Sequence, residues 1–151
     1  MEAKIIVHVG REHCFNLARY IPTHVAAERH NRERAIAAPS SGSLSVGDTV
    51  TFEAFHLGRR RRLTSKIVAM ERPCFFVDEM QSGAFAFLRH THRFHEVQDG
   101  TLMTDKLEFA APFGLLGWIA ERLFLRRYMI EFLRRHQEEF RKIAEQGPVN
   151  G

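Results

Sequence analysis

The chain has 151 residues, a formal net charge of +4, two cysteines and 13 phenylalanines, which suits one domain with a large aromatic core. No apolar run approaches the roughly 18 residues needed to cross a bilayer, and residues 1–9 lack the features of a secretory signal, so a cytoplasmic protein without membrane insertion is expected. The basic residues come with no recognition-helix motif and no aromatic ribonucleoprotein signature, which argues against nucleic acid as a partner.

Residues 4–9 form a short β-branched stretch that reads as a strand. Residues 11–18 and 23–30 carry helical spacing on either side of Pro22, which predicts two short helices closing one end of a sheet. A second strand is expected over residues 32–37, followed by a loop of small residues, Pro39, Ser40, Ser41, Gly42 and Ser43, that could border an entrance. Cys14 and Cys74 match no metal-binding or redox spacing and read as buried free thiols.

From Asp48 the alternation is clearer. A turn around Gly58 sets Val50, Phe52 and Ala54 opposite Ile67, Ser65 and Leu63 on one apolar face, with Thr49, Thr51, Glu53, Thr64 and Lys66 on the polar one. A turn at Arg72 and Pro73 starts a strand through Phe76, Asp78 and Met80, with Asp78 facing Ile67 and pointing inward. A bend near Ser82 and Gly83 leads to a hairpin over residues 85–97 and 101–111, joined by Asp99 and Gly100. With Gln98 opposite Thr101, Phe94 meets Asp105, His92 meets Leu107 and His90 meets Phe109. Arg59 to Arg62 read as an exposed hairpin tip.

Residues 115–143 then predict one long helix. Leu116, Ile119, Leu123, Ile130, Leu133 and Phe140 would cover the sheet, and Trp118, Leu125, Met129 and Phe132 form a second apolar stripe that could meet a second subunit in a homodimer. The reading is one domain over residues 1–146 with a disordered tail at 147–151. Strands followed by a single long helix make an α+β architecture, a curved sheet of about seven mostly antiparallel strands holding that helix, with a hollow between the layers.

The residues Phe76, Val77, Asp78, Glu79, Gly83, Phe85, His90, His92 and Phe94, followed by Gly100, Thr101, Met103, Asp105, Leu107, Phe109, Pro112 and Gly114, resemble a bacterial branch of the SRPBCC superfamily. That superfamily has the START-like helix-grip fold and includes the birch pollen allergen, lipid-transfer domains and polyketide cyclases. The resemblance covers roughly residues 45–135 well and extends elsewhere by order of elements. It implies a deep cavity between the seven-stranded antiparallel sheet and the C-terminal helix that accepts a hydrophobic or amphipathic small molecule, lipid-like, polyketide-like or aromatic. The residues expected around that cavity are Phe52, Phe76, Asp78, Met80, His90, His92, Met103, Asp105, Phe109, Leu116, Leu123 and Arg127.

His90 and His92 alternate on one strand, so their imidazoles project to one face about 6 to 7 Å apart. Beside Asp105 and Asp78 they could serve as general acid and base in an aldol cyclisation or dehydration, with His92 and Asp105 as the catalytic pair of a cyclase or dehydratase. The same groups could equally satisfy one another in a partly polar core or orient a ligand. Two histidines and a carboxylate could also ligate zinc or iron, but the register fixes no third ligand and His95 lies on the opposite face, so neither metal nor cofactor is expected. A bulge between Phe76 and Met80 would turn Glu79 inward in place of Asp78.

Overall fold

The computed structural model describes residues 1–146; the tail expected at 147–151 lies outside the described residues. In chain order the elements are β1 (Glu2–Val7), α1 (Arg11–Ala18), α2 (Ile21–Ala27), a 3-10 turn (Arg29–Asn31), β2 (Arg34–Ala37), β3 (Thr49–His56), β4 (Arg59–Glu71), β5 (Phe75–Ser82), β6 (Phe87–Val97), β7 (Gly100–Ala110), α3 (Gly114–Ala120), a π turn (Glu121–Leu125) and α4 (Arg126–Glu145). The seven strands form one antiparallel sheet in the order β1-β7-β6-β5-β4-β3-β2. The expected α+β architecture is the one observed. Pro22 sits in the first turn of α2 rather than between two helices, because that turn needs no hydrogen bond from its backbone nitrogen.

Both hairpin registers differ from the expected ones by two residues. β3 and β4 are joined by the two residues Leu57 and Gly58, so Val50 faces Ser65 and Phe52 faces Leu63. The turn between β6 and β7 is Gln98 and Asp99, which leaves Gly100 as the first residue of β7 and pairs Phe94 with Met103, His92 with Asp105, and His90 with Leu107. Side chains alternate with a period of two, so each residue keeps its face and only its neighbour changes. Gly100 is held there by a close approach. A Cβ at this position would stand 2.2 Å from the Val7 carbonyl oxygen, and its φ of +153° suits glycine alone.

β5 and β4 meet with Asp78 opposite Ile67, as expected. The two register shifts fall between Ile67 and Ala69 of β4 and between Met80 and Ser82 of β5, not between Phe76 and Met80, so Asp78 keeps its inward direction, and outside it Glu79 pairs with Arg89 at 3.0 Å. Glu53, expected on the polar face, is covered there by Arg34, Arg60 and Arg62.

The core gathers in two clusters. Phe15 of α1 packs edge-on against Phe76 and Phe94, with ring centroids 5.7 and 5.4 Å apart, and joins Val7, Ile67, Met103 and Phe140. Leu88, Leu107, Met129 and Leu133 make the second. Along α4 the buried stripe runs through Met129, Leu133, His136, Gln137, Phe140 and Ala144. Burial of an apolar side chain such as Leu133 or Phe140 contributes roughly 1.5–3 kcal/mol, which fastens α4 across the sheet. Of the two thiols, Cys14 is buried and Cys74 only partly so.

Candidate functional site

Between the concave face of the sheet and the helices α2 and α4 lies a cavity of about 390 Å³. Its walls are mostly apolar: Ile21, Val50, Phe52, Ala54, Leu63, Ile67, Phe76, Leu88, Leu107, Met129, Phe132 and Leu133. Arg61, Leu57 and Phe113, all exposed, also border it and mark its open side. Tyr20 and Leu44 line it next to the serine-rich loop, which bridges to the sheet-closing helices through Tyr20 and Ser43.

The polar floor is built by three adjacent strands. β5 supplies Asp78, β6 supplies His90 and His92, and β7 supports them from beneath with Asp105, with Asp78 opposite His90 and Asp105 opposite His92. His92 Nε2 is hydrogen-bonded to Asp78 Oδ2 at 3.0 Å. Its Nδ1 lies 2.7 Å from Asp105 Oδ1, an ion-pair contact out of line for a hydrogen bond. His90 Nε2 reaches the same Asp105 oxygen at 3.0 Å, and the two imidazole rings stand 3.7 Å apart. The other Asp105 oxygen accepts 2.6 Å from Gln137 Nε2, which also donates to the Ala3 carbonyl. Phe76 stacks on His92 at 4.3 Å.

Charge in this cluster follows from burial and pairing. Burial alone would lower the His92 pKa, but close pairing with the Asp105 and Asp78 carboxylates outweighs it and raises the value to about 9. Burial works against both carboxylates too, yet the histidines hold Asp105 and Asp78 below the ordinary carboxylate range. His90 is pushed down, first by burial and then by the His92 charge. At neutral pH His92 is therefore an imidazolium between two carboxylates, and His90 is a neutral imidazole. A neutral ring bonded to a carboxylate through Nε2 carries its proton there, which leaves the His90 Nδ1 lone pair available as an acceptor.

A second polar wall comes from the helices. His136 Nδ1 pairs with buried Glu28, which Asn31 also holds at 2.8 Å, and His24 stands 3.2 Å from Glu33 with its ring tilted against Phe52 at 4.6 Å. Burial depresses the His24 pKa, but Glu33, joined by the charges of Glu28 and Asp78, more than reverses that. His56 Nδ1 and Tyr128 Oη are 2.7 Å apart nearer the open side.

No family model and no curated protein matches the chain. Among solved structures, a protein from Thermus thermophilus superposes with a TM-score of 0.81 at 13% identity, covering 99% of both chains. A START superfamily protein from Mycobacterium smegmatis gives 0.72 at 12% identity over 97% of each chain. The di-domain ARO/CYC protein StfQ from the steffimycin biosynthetic pathway gives 0.76 at 12% identity, with 97% of this chain matching 50% of that one. The chain has a START-like helix-grip fold.

Within this helix-grip fold, Phe52, Phe76, Asp78, His90 and His92 line the cavity. Met103 and Asp105 are fully buried beneath its floor, and Met80 and Phe109 pack beside Phe85 in the second core cluster. Leu116 and Leu123 face solvent at 76% and 62% exposure, Ile119 is also exposed, and so is Arg127. Counting back from Leu133 at about 100° per residue puts Leu123 roughly 80° round the axis from Leu133, beyond the edge of the buried stripe. The π turn at Glu121–Leu125 breaks the phase again before Leu116.

The sequence reading missed His24, Glu28, Glu33, His56, Tyr128, His136 and Gln137. A signal existed for two of them: His136 and Gln137 fall three and four residues after Leu133, on the stripe that Phe140 continues, where a polar residue needs a buried partner.

Proposed function

We propose that this protein binds a hydrophobic or amphipathic small molecule in the cavity between sheet and α4. The observation that carries the reading is the cavity itself: about 390 Å³, within the range of small-molecule sites, with apolar walls and polar groups gathered on its floor. Apolar surface would supply the affinity, at about 25 cal/mol per Å² buried. Asp78 and His90 would fix orientation, Asp78 accepting from a ligand hydroxyl or amine and His90 Nδ1 accepting in the same way.

Titration with an apolar fluorescent probe, alongside native mass spectrometry of the purified protein for a co-purified molecule, tests this. Ala54→Trp places an indole in the chamber away from the polar floor, and should reduce probe binding at least about tenfold while the fold is kept. Equal probe affinity in this variant and the parent would remove the reading.

A second reading is a cyclase or dehydratase-like enzyme, favoured by the free lone pair of His90 and by the ARO/CYC description of StfQ. In it His90 Nδ1 removes a proton next to a ligand carbonyl. His92 and Asp105 act from behind, since both His92 nitrogens are engaged by carboxylates and Asp105 has no exposed surface. Loss of turnover of a β-hydroxyketone in His90→Gln, with probe binding kept, would support it; no turnover by the parent protein would exclude it for that substrate class.

A further inference from the structure

We propose that Asp78, His90 and His92 form a binding site for one divalent transition-metal ion on the floor of the chamber. One donor atom from each lies within 4.8 Å of the others. Ligands at about 2.0–2.2 Å from a shared ion stand roughly 3–3.5 Å apart, and His92 Nε2 and Asp78 Oδ2 are already 3.0 Å apart. The spacings from His90 to the other two donors, none above 4.8 Å, would close onto the ion.

The surroundings match what a metal site requires behind its ligands. A ligating histidine normally donates its second ring N–H to a carboxylate or carbonyl, which fixes the tautomer and aims the ring. Here one buried carboxylate oxygen, Asp105 Oδ1, stands 3.0 Å from His90 Nε2 and 2.7 Å from His92 Nδ1. That leaves His92 Nε2 and His90 Nδ1 for the ion. Gln137 pins the other oxygen of Asp105 at 2.6 Å. Among the described residues the buried His92 Nδ1 has no aligned hydrogen-bond partner, and an ion on Nε2 would fix the proton on Nδ1, turned toward Asp105.

Two imidazoles and one carboxylate make a borderline donor set that suits zinc or iron(II), not calcium or magnesium with their all-oxygen shells. The remaining coordination positions face the cavity, where water or a ligand oxygen could occupy them. The site stands independently of the apolar-ligand reading, and probe binding, measured with and without metal, reports on that reading separately.

The test is calorimetric titration of chelator-treated full-length protein with Zn²⁺, and with Co²⁺ followed by visible absorption. One equivalent per chain should bind, and Co²⁺ should show the d–d bands of a low-coordinate ion. Asp78→Asn and His90→Gln should each weaken binding at least about 100-fold, and Asp105→Asn about 10- to 100-fold. His95→Gln, on the outer face, should change it less than about twofold, with circular dichroism confirming that each variant folds. The absence of a stoichiometric ion, or affinity unchanged in folded Asp78→Asn and His90→Gln, would overturn the proposal.

Discussion

His92 is held as a cation by two carboxylates in a buried site, and this makes stability depend on pH in a defined direction. Its folded pKa, about 9, lies above the unfolded value of about 6.5, so the stabilisation is complete below pH 6.5 and is lost as pH rises toward 9. Denaturant titrations of metal-free protein should show a fall on the order of 3 kcal/mol across that interval, and Asp105→Asn should flatten the slope. Cys14 offers an independent check on the same neighbourhood. Burial, followed by the charge of Asp105, raises its thiol to about 12, whereas Cys74 is partly open. A disulfide reagent at pH 8 should label Cys74 rapidly and Cys14 only after unfolding.

At the scale of elements, the tightest constraint is where β1 crosses the start of β7. Gly100→Ala would drive a methyl group into the Val7 carbonyl, and a loss of about 1–3 kcal/mol is expected from thermal unfolding. Protection of the β1 amides from hydrogen exchange should fall more than that of β5. Face assignment was legible from sequence because alternation alone decides it, and Asp78, His90, His92 and Asp105 were rightly placed on one surface. Strand partners were not legible, since they hang on where a turn begins. Moving the turn from Asp99–Gly100 to Gln98–Asp99 brings Asp105 opposite His92, and with it the hydrogen-bonded floor. On the helix, apolar periodicity marked Leu133 and Phe140 correctly but could not foresee a π turn that puts the preceding segment out of phase.

For the whole molecule, the helix-grip arrangement leaves one end of the interior filled by Phe15, Phe76 and Phe94 and the other open. Aromatic content suggested a lined interior, but only three-dimensional packing decides which rings touch one another and which border space. The long-range pairs His136–Glu28 and Gln137–Asp105 tie α4 to α2 and to the sheet, and no local pattern in the sequence announces either partner. Arg60 and Arg62 neutralise Glu53 on the outside of the sheet, while Arg61 alternates to the inner face at the open side of the cavity. On the floor, two carboxylates against one imidazolium leave one negative charge. The interior therefore has an electrical polarity, positive at its doorway and negative at its far end. An elongated guest with an acidic terminus would settle tail-first, its acid beside Arg61. Arg61→Glu should weaken a fatty-acid probe about fivefold, the equivalent of roughly 1 kcal/mol, and leave its methyl ester unaffected.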